Sequence, residues 1–453
     1  MINEIGAALR KSARTVHLPG DDGYDRARTN WSLTTDLRPA AVVYPESVDE
    51  ISAVIRTANR AGLRVTPMGT GHNSHPFGDL SGTVLLRTSR LAGIDVDPAA
   101  RRARVGAGAL WLPVVEKAAA YGLAALHGSS PDTGVVGYTT GGGLSWYGRR
   151  HGLAANHVTA VELVLADGTQ VRADAAHEAD LFWAVRGGGA NVGVVTALEF
   201  DLFPYETAYA GALAWDLAKA PEVLARWLEW TVGAPDEVTT AYRLLRFPPI
   251  PELPQPFRGR DFAMIDGAVL ADDAEAERIL RPLRELKPEL DSFARVPATA
   301  VSRIHLDPEE PVPGDGAAAL LDALPQSAVD KLIEAAGADS GTSLFSTELR
   351  HLGGALGRPV AGGGALSHLD GEYLMSVVGI VTGPVSKAAT LADAARVVRA
   401  LATGHSRGRK YLNFTQQQGD TSRAFDPADW LRLLEIRAKV DPTGLLQANH
   451  EIR

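Results

Sequence analysis

Three glycine-rich segments in the first half of the chain constrain its fold more than any other feature. They read PMGTGHNSHP at 67–76, GSSPDTGVVGYTTGGG at 128–143 and DLFWAVRGGGANVGVVT at 180–196. No single repeat relates them, which indicates that each serves a backbone geometry around something they share. Glycine allows positive φ angles and lets main-chain N–H groups approach an anion closely. The segments therefore predict a ligand that contains a pyrophosphate, such as a dinucleotide.

Length and charge narrow the class of protein. A chain of 453 residues exceeds the size at which one hydrophobic core normally keeps growing, so two domains are expected. The 54 acidic and 45 basic residues give a formal net charge of −9, and the basic residues are interspersed. Nucleic-acid binding depends on clustered Lys and Arg that neutralise phosphates, so no nucleic-acid partner is expected.

The apolar segments are short. The longest runs, such as AVELVLA at 160–166, fall far below the roughly 20 residues that span a bilayer. The first twenty residues place Glu4 early and lack the continuous apolar segment of a secretory signal. We therefore expect no membrane association and a cytoplasmic location.

The chain contains no cysteine, which excludes disulfides, thiolate nucleophiles and zinc–thiolate sites. Its twelve histidines show neither the HExxH spacing nor a comparable ligand cluster. No metal is expected.

Hydrophobic periodicity predicts a strand, a helix and a second strand near the N-terminus. The helix begins after the N-cap residue Ser47 and stops at Gly62, between the strand-like AAVVYP and RVTPMG. Residues 110–122 and 144–150 are also predicted to be helical. Residues 158–173 are predicted to form a hairpin that turns at an Asp-Gly pair.

The glycine-rich pattern does not recur beyond Pro204, where a second domain is predicted. Its expected strands are 239–245, 261–269 and 373–381, its expected helices 272–286 and 327–337, and its expected loops 308–316 and 358–371. Strands combined with long helices indicate a sheet with helices covering one face.

The order and content of the glycine-rich segments resemble the FAD-linked oxidases of the vanillyl-alcohol oxidase and berberine-bridge-enzyme group. GTGHN at 69–73 stands where that family has its glycine-glycine-histidine loop. The resemblance runs from about 40 to 204 and resumes in YLNF at 411–414 and VDPTGLLQANHEI at 440–452.

The resemblance implies a bacterial enzyme of α+β class with three parts. Residues 1–204 would form a two-lobed, PCMH-type FAD-binding domain. Residues 205–404 would form a substrate-binding domain with an antiparallel sheet covered by helices. Residues 405–453 would return to the FAD-binding domain.

The resemblance also implies that FAD is bound covalently through His72. Related enzymes with two links place a cysteine in a Cys-Pro-Thr-Val-Gly pattern, whereas this chain has Ser-Pro-Asp-Thr-Gly at 130–134. The cysteinyl link is therefore impossible, and attachment through His72 alone is expected.

Further flavin contacts follow from the family's motifs. The implied residues are Met68, Gly69, Thr70, Gly71, Asn73, Ser130, Pro131, Thr133, Gly134, Gly137, Tyr138, Gly141, Gly142, Leu144, Val158, Gly193, Val195, Asn413 and Asn449. Some glycines and asparagines in this set could instead be turn residues. The chain departs from the family at Ala190 and Val192, where glycine and phenylalanine are usual. It also lacks the Tyr-Gly-Asn-Tyr stretch before the terminal helix, so no catalytic tyrosine carries over from there.

Thr133 occupies the position where the family controls access of dioxygen to the flavin. A small residue is compatible with oxygen use, and a bacterial subgroup with threonine there is linked to oxygen transfer through a flavin N5-oxide. Thr133 could instead merely pack or bond to the backbone.

Substrate oxidation also needs a group that accepts a proton. Tyr242 and Glu348 lie in strand-like runs whose alternation could point either side chain towards the flavin, with Tyr411, His351 and His368 as weaker candidates. Tyr242 could instead be a core residue, and Glu348 could simply pair with a neighbouring arginine.

Together these features predict an FAD-dependent oxidase that transfers a hydride from an organic small molecule, such as a natural-product intermediate, to covalently bound FAD. Dioxygen would then be reduced to hydrogen peroxide. One alternative is a flavin-N5-oxide monooxygenase or dual oxidase acting on a polyketide-like substrate. Another, of a different class, is a flavin-carrying binding protein without turnover.

Overall fold

A computed structural model of the chain describes residues 2–251 and 255–453. The backbone forms three β-sheets with helices packed against them. The strands are β1 Val16–His17, β2 Ala41–Val43, β3 Arg64–Met68, β4 Thr83–Arg87, β5 Ile94–Asp97, β6 Arg102–Gly106, β7 Val158–Val164, β8 Gln170–Asp174, β9 Val194–Asp201, β10 Thr207–Asp216, β11 Val238–Arg246, β12 Asp261–Val269, β13 Leu290–Asp291, β14 Ala294–Pro297, β15 Gly314–Leu321, β16 Leu344–His351 and β17 Tyr373–Ile380.

The helices differ widely in length. They are α1 Ile2–Ser12, α2 Tyr24–Arg28, α3 Val48–Arg60, α4 Trp111–Ala119, α5 Val135–Thr140, α6 Gly148–His151, α7 Ala179–Gly188, α8 Ala220–Val232, α9 Asp273–Arg284, α10 Ala298–Val301, α11 Ser327–Ala336, α12 Pro384–Ala402 and α13 Pro427–Val440. Short 3₁₀ segments occur at Thr88–Arg90, Ala154–His157, Gly189–Asn191, Leu217–Lys219, Gly354–Gly357, Leu412–Phe414 and Thr421–Ala424.

The first sheet has the strand order β1-β2-β4-β3, in which β2, β4 and β3 run parallel. The strand–helix–strand prediction is confirmed here, because α3 connects β2 to β3. The Ser47 side chain accepts a hydrogen bond from the Glu50 N–H at 3.2 Å, which caps the helix as its sequence indicates. Ile51, Val54 and Ile55 are fully buried, so α3 closes one side of this sheet.

The second sheet has five antiparallel strands in the order β5-β6-β9-β7-β8. The predicted hairpin is confirmed as β7 and β8, and it turns where Gly168 adopts φ +83° and donates to the Leu165 carbonyl at 2.9 Å. The helix predicted at 110–122 is confirmed as α4. The prediction for 144–150 was wrong at its start, because helix α6 begins only at Gly148.

The third sheet is antiparallel throughout and has eight strands. Seven follow the order β13-β10-β12-β11-β16-β17-β15, and β14 pairs with β10. Helices α8, α9, α11 and α12 cover one face and bury Trp215 and Trp227 between sheet and helices. The other face is free of these helices and turns towards the first two sheets.

The predicted strands of this sheet are confirmed as β11, β12 and β17, and the predicted helices as α9 and α11. The expected loop at 308–316 was partly wrong, because β15 begins at Gly314. A Cβ on Gly316 would lie 1.9 Å from the Val377 carbonyl oxygen. Glycine is thus required by the close approach of β17, and it signals a strand here rather than a turn.

After α12 the chain returns to the first two sheets. Residues 445–447 run beside β3, where Val65 donates to the Leu445 carbonyl and Gln447 donates to the Val65 carbonyl at 2.8 and 2.9 Å. Helix α13 packs against α7. The chain thus visits the sheets in the order that the predicted three-part division requires, although the division itself stays a prediction. Within the described residues no helix combines the length and apolar character needed to cross a bilayer.

Candidate functional site

A cavity of about 500 Å³ lies where the three sheets meet. Its walls are drawn from the segments 67–73, 128–141, 187–191, 411–416 and 448–450, together with the face of the eight-stranded sheet that the helices leave open. All three glycine-rich segments of the sequence therefore border the same space, as expected for segments that share a ligand.

Most residues predicted to contact flavin line this cavity. They are Met68, Gly69, Thr70, Gly71, His72, Asn73, Ser130, Thr133, Gly134, Gly137, Tyr138, Gly141, Leu144, Val195, Asn413 and Asn449. Their contact with flavin stays a prediction.

Four predicted contact residues lie behind the lining instead. Gly142 packs against Tyr411, and its carbonyl accepts from Ala155 at 2.8 Å. Gly193 sits against β7, Val158 belongs to the core of the five-stranded sheet, and Pro131 is buried with its carbonyl bonded to α4. These four positions pack within the protein, and their contact with flavin stays a prediction.

Three glycines of the lining leave room for a ligand. A Cβ on Gly69, Gly134 or Gly137 would meet no neighbouring protein atom closer than 3.9 Å, so the space beside each backbone is the cavity itself. Such open backbone suits the close approach of a phosphate-bearing cofactor. The site therefore fits FAD on its own geometry.

Asn413 has a structural contact of its own. Its Nδ2 donates to the Tyr138 carbonyl at 2.9 Å, and a Cβ on Gly141 would lie 1.9 Å from its Oδ1. Glycine at 141 is thus required so that the C-terminal segment can cross α5. Asn449 similarly donates to the Asn73 carbonyl at 3.0 Å, and Asn73 donates to the Leu412 carbonyl at 2.8 Å.

His72 stands on the cavity wall in a defined orientation. Its ring stacks on Trp31 with centroids 4.0 Å apart and an interplanar angle of 24°. Its Nε2 is buried, lies 3.4 Å from Asp132 Oδ1 and has no hydrogen-bond partner among the described residues. Asp132 in turn accepts from Trp31 Nε1 at 2.5 Å and from the Ser130 hydroxyl at 2.8 Å.

The environment keeps Asp132 ionised. Burial alone would raise the pKa of its carboxyl, but neighbouring His72 and the hydrogen bonds from Ser130 and Trp31 outweigh burial and lower that pKa. A fixed negative charge therefore faces Nε2 of His72.

The opposite wall carries polar side chains from the eight-stranded sheet. Antiparallel register places Arg243 opposite Glu348, and Glu348 opposite Ser376, in one row on the open face. Because successive residues of a strand alternate between faces, Tyr242 points the other way. Its hydroxyl donates to the Ala220 carbonyl at 3.1 Å in the helix-covered core. The prediction of Tyr242 as a catalytic residue was therefore wrong.

Of the three weaker candidates for the proton acceptor, only one lines the cavity. His351 is buried beside Trp227 and Tyr373, where burial lowers its pKa well below the ordinary value. His368 lies in a loop and does not line the cavity. Tyr411 does line it, and burial raises the pKa of its phenol, so its hydroxyl stays protonated and can donate.

Glu348 belongs to a buried cluster of charges that we call the ionic cluster, consisting of Arg243, Asp266, His305, Asp307, Glu348 and Arg350. The predicted pairing of Glu348 is present, because Arg350 Nε donates to Glu348 Oε1 at 2.6 Å. His305 joins two strands, since its Nδ1 lies 2.8 Å from Asp266 Oδ2 and its Nε2 lies 3.3 Å from Glu348 Oε1. All members except Asp266 line the cavity.

The charge balance of the ionic cluster decides whether His305 is protonated. The two arginines and three carboxylates leave one negative charge when His305 is neutral and none when it is protonated. Burial and the nearby Arg243 lower the pKa of His305, but the three carboxylates outweigh them and raise it. Arg350 Nη2 also lies 3.1 Å from Nε2, a contact that favours neutral His305. The carboxylates prevail because two of them lie within 3.3 Å of the ring.

Glu348 itself is ionised. Burial would raise the pKa of its carboxyl, but Arg350 and His305 hold that pKa well below its usual range. The backbone at Leu306 is strained, with φ +58°. A non-glycine residue persists there only when its surroundings enforce it, and here it presents the flanking His305 and Asp307 to the cavity.

Sequence reasoning missed the other members of the ionic cluster. The one available signal was the alternation of β16, which places Ser346, Glu348 and Arg350 on one face. Nothing local indicates that His305 reaches this face, because it comes from the irregular segment after α10. Among the described residues, no group of three or more His, Asp or Glu side chains is arranged to hold a metal ion.

Comparison with known proteins defines the class. Residues 39–174 match the family model described as an FAD binding domain. The chain is 35% identical over 230 residues to the FAD-dependent monooxygenase drtC of Aspergillus calidoustus, covering 49% of this chain and 44% of that protein. It is 30% identical over 216 residues to the (R)-6-hydroxynicotine oxidase of Paenarthrobacter nicotinovorans, covering 48% and 47% respectively. The matched region thus spans less than half the length of these relatives.

The fold has solved counterparts. The structure of glucooligosaccharide oxidase from Acremonium strictum, whose FAD is 6-S-cysteinyl and 8α-N1-histidyl, superposes with a TM-score of 0.84 at 20% identity and covers 99% of both chains. The chain therefore contains an FAD binding domain and has the α+β fold of FAD-linked oxidases.

The open glycines generate a first prediction. In Gly137→Leu the new Cβ meets no neighbouring protein atom within 4 Å and the side chain extends towards the cavity, so FAD should bind at least about tenfold more weakly, or ~1.4 kcal/mol. The measurement is the flavin-to-protein ratio of purified protein, with Gly82→Leu as the control because Gly82 is equally open but lies outside the cavity. An unchanged ratio in Gly137→Leu would contradict the prediction that the open glycines leave room for FAD.

The ionic cluster generates a second prediction. A raised pKa for His305 means that protonated His305 stabilises the fold below its unfolded pKa of about 6.5, and that this contribution is lost as pH rises through the folded pKa. The difference in Tm between the wild type and His305→Gln should therefore be largest near pH 6 and shrink towards pH 9. A difference that grows with pH would show that His305 is neutral in the folded protein.

Proposed function

We propose that the protein is an FAD-dependent oxidoreductase that oxidises an organic small molecule and transfers the electrons to dioxygen, forming hydrogen peroxide. One observation carries the proposal: a single cavity has His72 and the open glycines on one wall and Glu348 of the ionic cluster on the other. The match to an FAD binding domain and the oxidases among its relatives support it. A bacterial origin and a cytoplasmic location stay predictions.

Attachment of FAD through His72 alone is part of the proposal. His72 lines the cavity, and Ser130 stands where two-link enzymes have cysteine in a chain without any cysteine. Gly69, Gly134 and Gly137 would accommodate the cofactor, and Asn413 and Asn449 would hold the surrounding loops in place.

When bound, FAD would accept a hydride from the substrate and pass two electrons to dioxygen. The chain's own residues would orient the substrate and manage its proton. Ionised Glu348 can accept a hydrogen bond from a substrate hydroxyl or amine and then its proton. Because the pKa of Glu348 is held low, it is a weak base, so orienting the substrate through that hydrogen bond would outweigh proton removal.

The side of the cavity proposed to bind substrate is lined by both apolar and polar side chains. Val312, Ala317, Phe345 and Val378 supply apolar surface, and Ser346 lies among them. A mostly apolar pocket with a few polar groups is typical of small-molecule sites. A natural-product intermediate would place its apolar part against these side chains and a hydroxyl against the ionic cluster.

The His72 assignment predicts a colour that survives denaturation. Wild-type protein precipitated with acid should keep its yellow flavin in the pellet, whereas His72→Ala should release all flavin and lose most activity because no other residue can form the link. His177→Ala is the control, since His177 is exposed on the surface. Acid-stable flavin in His72→Ala would contradict the assignment.

A second candidate function is insertion of oxygen into the substrate. It is favoured by Thr133, which lines the cavity at the family's oxygen-controlling position, and by the monooxygenase among the relatives. Turnover under ¹⁸O-labelled dioxygen separates the two functions. We expect an unlabelled organic product and labelled peroxide, and label in the organic product would establish oxygen insertion instead.

A further inference from the structure

The surroundings of His72 are more specific than a link to flavin alone requires. Asp132 lies beside its Nε2, Trp31 stacks on its ring, and the Ser130 hydroxyl donates to the same carboxylate. Trp31 is itself anchored, because its backbone N–H donates to the Thr70 carbonyl at 3.0 Å. These contacts determine both the plane of the imidazole ring and the chemical environment of one of its nitrogens.

We propose that Asp132 is a positioning residue for covalent flavin attachment: it holds the proton of His72 on Nε2 and so leaves Nδ1 as the nucleophile. This inference rests on the proposed attachment of FAD through His72.

The two ring nitrogens of His72 differ in a way that supports the assignment. Nε2 is buried, and the carboxylate oxygen at 3.4 Å is slightly beyond ordinary hydrogen-bond length. Nδ1 makes no hydrogen bond to any residue in the described ranges. In a neutral imidazole one nitrogen carries the proton and the other the free lone pair, and the partner of the first decides which is which. A carboxylate beside Nε2 therefore favours the lone pair on Nδ1.

The carboxylate is held so that it cannot turn away. Trp31 Nε1 donates to Oδ2 at 2.5 Å and the Ser130 hydroxyl donates to Oδ1 at 2.8 Å, so each oxygen already has one donor. Oδ1, which keeps acceptor capacity, is the oxygen that lies 3.4 Å from His72 Nε2. Trp31 thus acts twice, because the indole that stacks on the imidazole also fixes the carboxylate beside it.

The attachment step balances with dioxygen as oxidant. A bond forms between Nδ1 and the 8α-methyl carbon, that carbon loses one hydrogen, and Nε2 loses its proton towards Asp132. The electron pair of the broken C–H bond passes into the flavin ring and from there to dioxygen. Dioxygen takes up two electrons and two protons and leaves as hydrogen peroxide, so the linked protein carries one FAD less two hydrogen atoms.

The test measures the rate at which FAD becomes covalently attached and not catalytic turnover, so it needs no substrate. Apoprotein from flavin-depleted cells is mixed with FAD in air, and acid-stable flavin is measured over time. Fluorescence quenching of FAD on mixing gives the affinity before attachment. We expect Asp132→Asn to attach flavin on the order of 100-fold more slowly, the range in which one proton-handling group contributes, with FAD affinity within about twofold of the wild type.

Three variants complete the comparison. Asp132→Glu keeps a carboxylate and should recover part of the rate. Trp31→Phe keeps the stacked ring but loses the donor to Asp132, so it should be intermediate, and it tests the proposal even if Asp132→Asn does not fold. Asp180→Asn, on the surface beside Arg432, is the matched control and should attach flavin like the wild type.

Each outcome bears on a different claim. Attachment at the wild-type rate in Asp132→Asn would overturn the role of Asp132 while leaving the link intact. An equal loss of FAD affinity and of attachment rate would mean that Asp132 only maintains the fold, which also overturns the proposal. Wild-type protein that never acquires acid-stable flavin would overturn the His72 link itself.

Discussion

Buried amide side chains hold the walls of the cavity in place, and the rest of the site depends on them. Asn191 joins three segments: its Nδ2 donates to the Gly188 and His450 carbonyls, and its Oδ1 accepts from Arg437 and from the Ile452 N–H, all within 2.9 Å. Buried polar groups are costly unless paired, so these loops cannot separate without losing several bonds at once. These hydrogen bonds fix the segments that line the cavity and so maintain its shape.

The two walls of the cavity have different electrostatics, and each suits its role. The wall with His72 and the open glycines is mostly open backbone with one fixed carboxylate beside His72. The opposite wall presents the ionic cluster, whose buried charges compensate one another through Arg350, Glu348 and His305. A compensated cluster stays folded without a ligand, whereas an unpaired buried charge would be strongly destabilising. This arrangement lets a polar group face an otherwise apolar pocket.

The sequence predicted what local rules determine. The capped helix α3, the hairpin of β7 and β8, and the meeting of three glycine-rich segments in one cavity follow from capping, turn chemistry and backbone geometry. Tyr242 was misassigned because alternation identifies two faces of a strand but not which face the helices cover. His305 was missed because it reaches the site from an irregular segment far along the chain. Such long-range placement is decided by packing, which one sequence does not display.

The central claim is that FAD occupies this cavity and is joined to His72 by a single bond. The most direct measurement is the mass of the denatured, purified protein after incubation with FAD in air, followed by mass analysis of the peptide that contains His72. We expect the mass of the chain plus one FAD less two hydrogen atoms, with the added mass located on that peptide. The mass of the unmodified chain, or a flavin attached to another peptide, would contradict it.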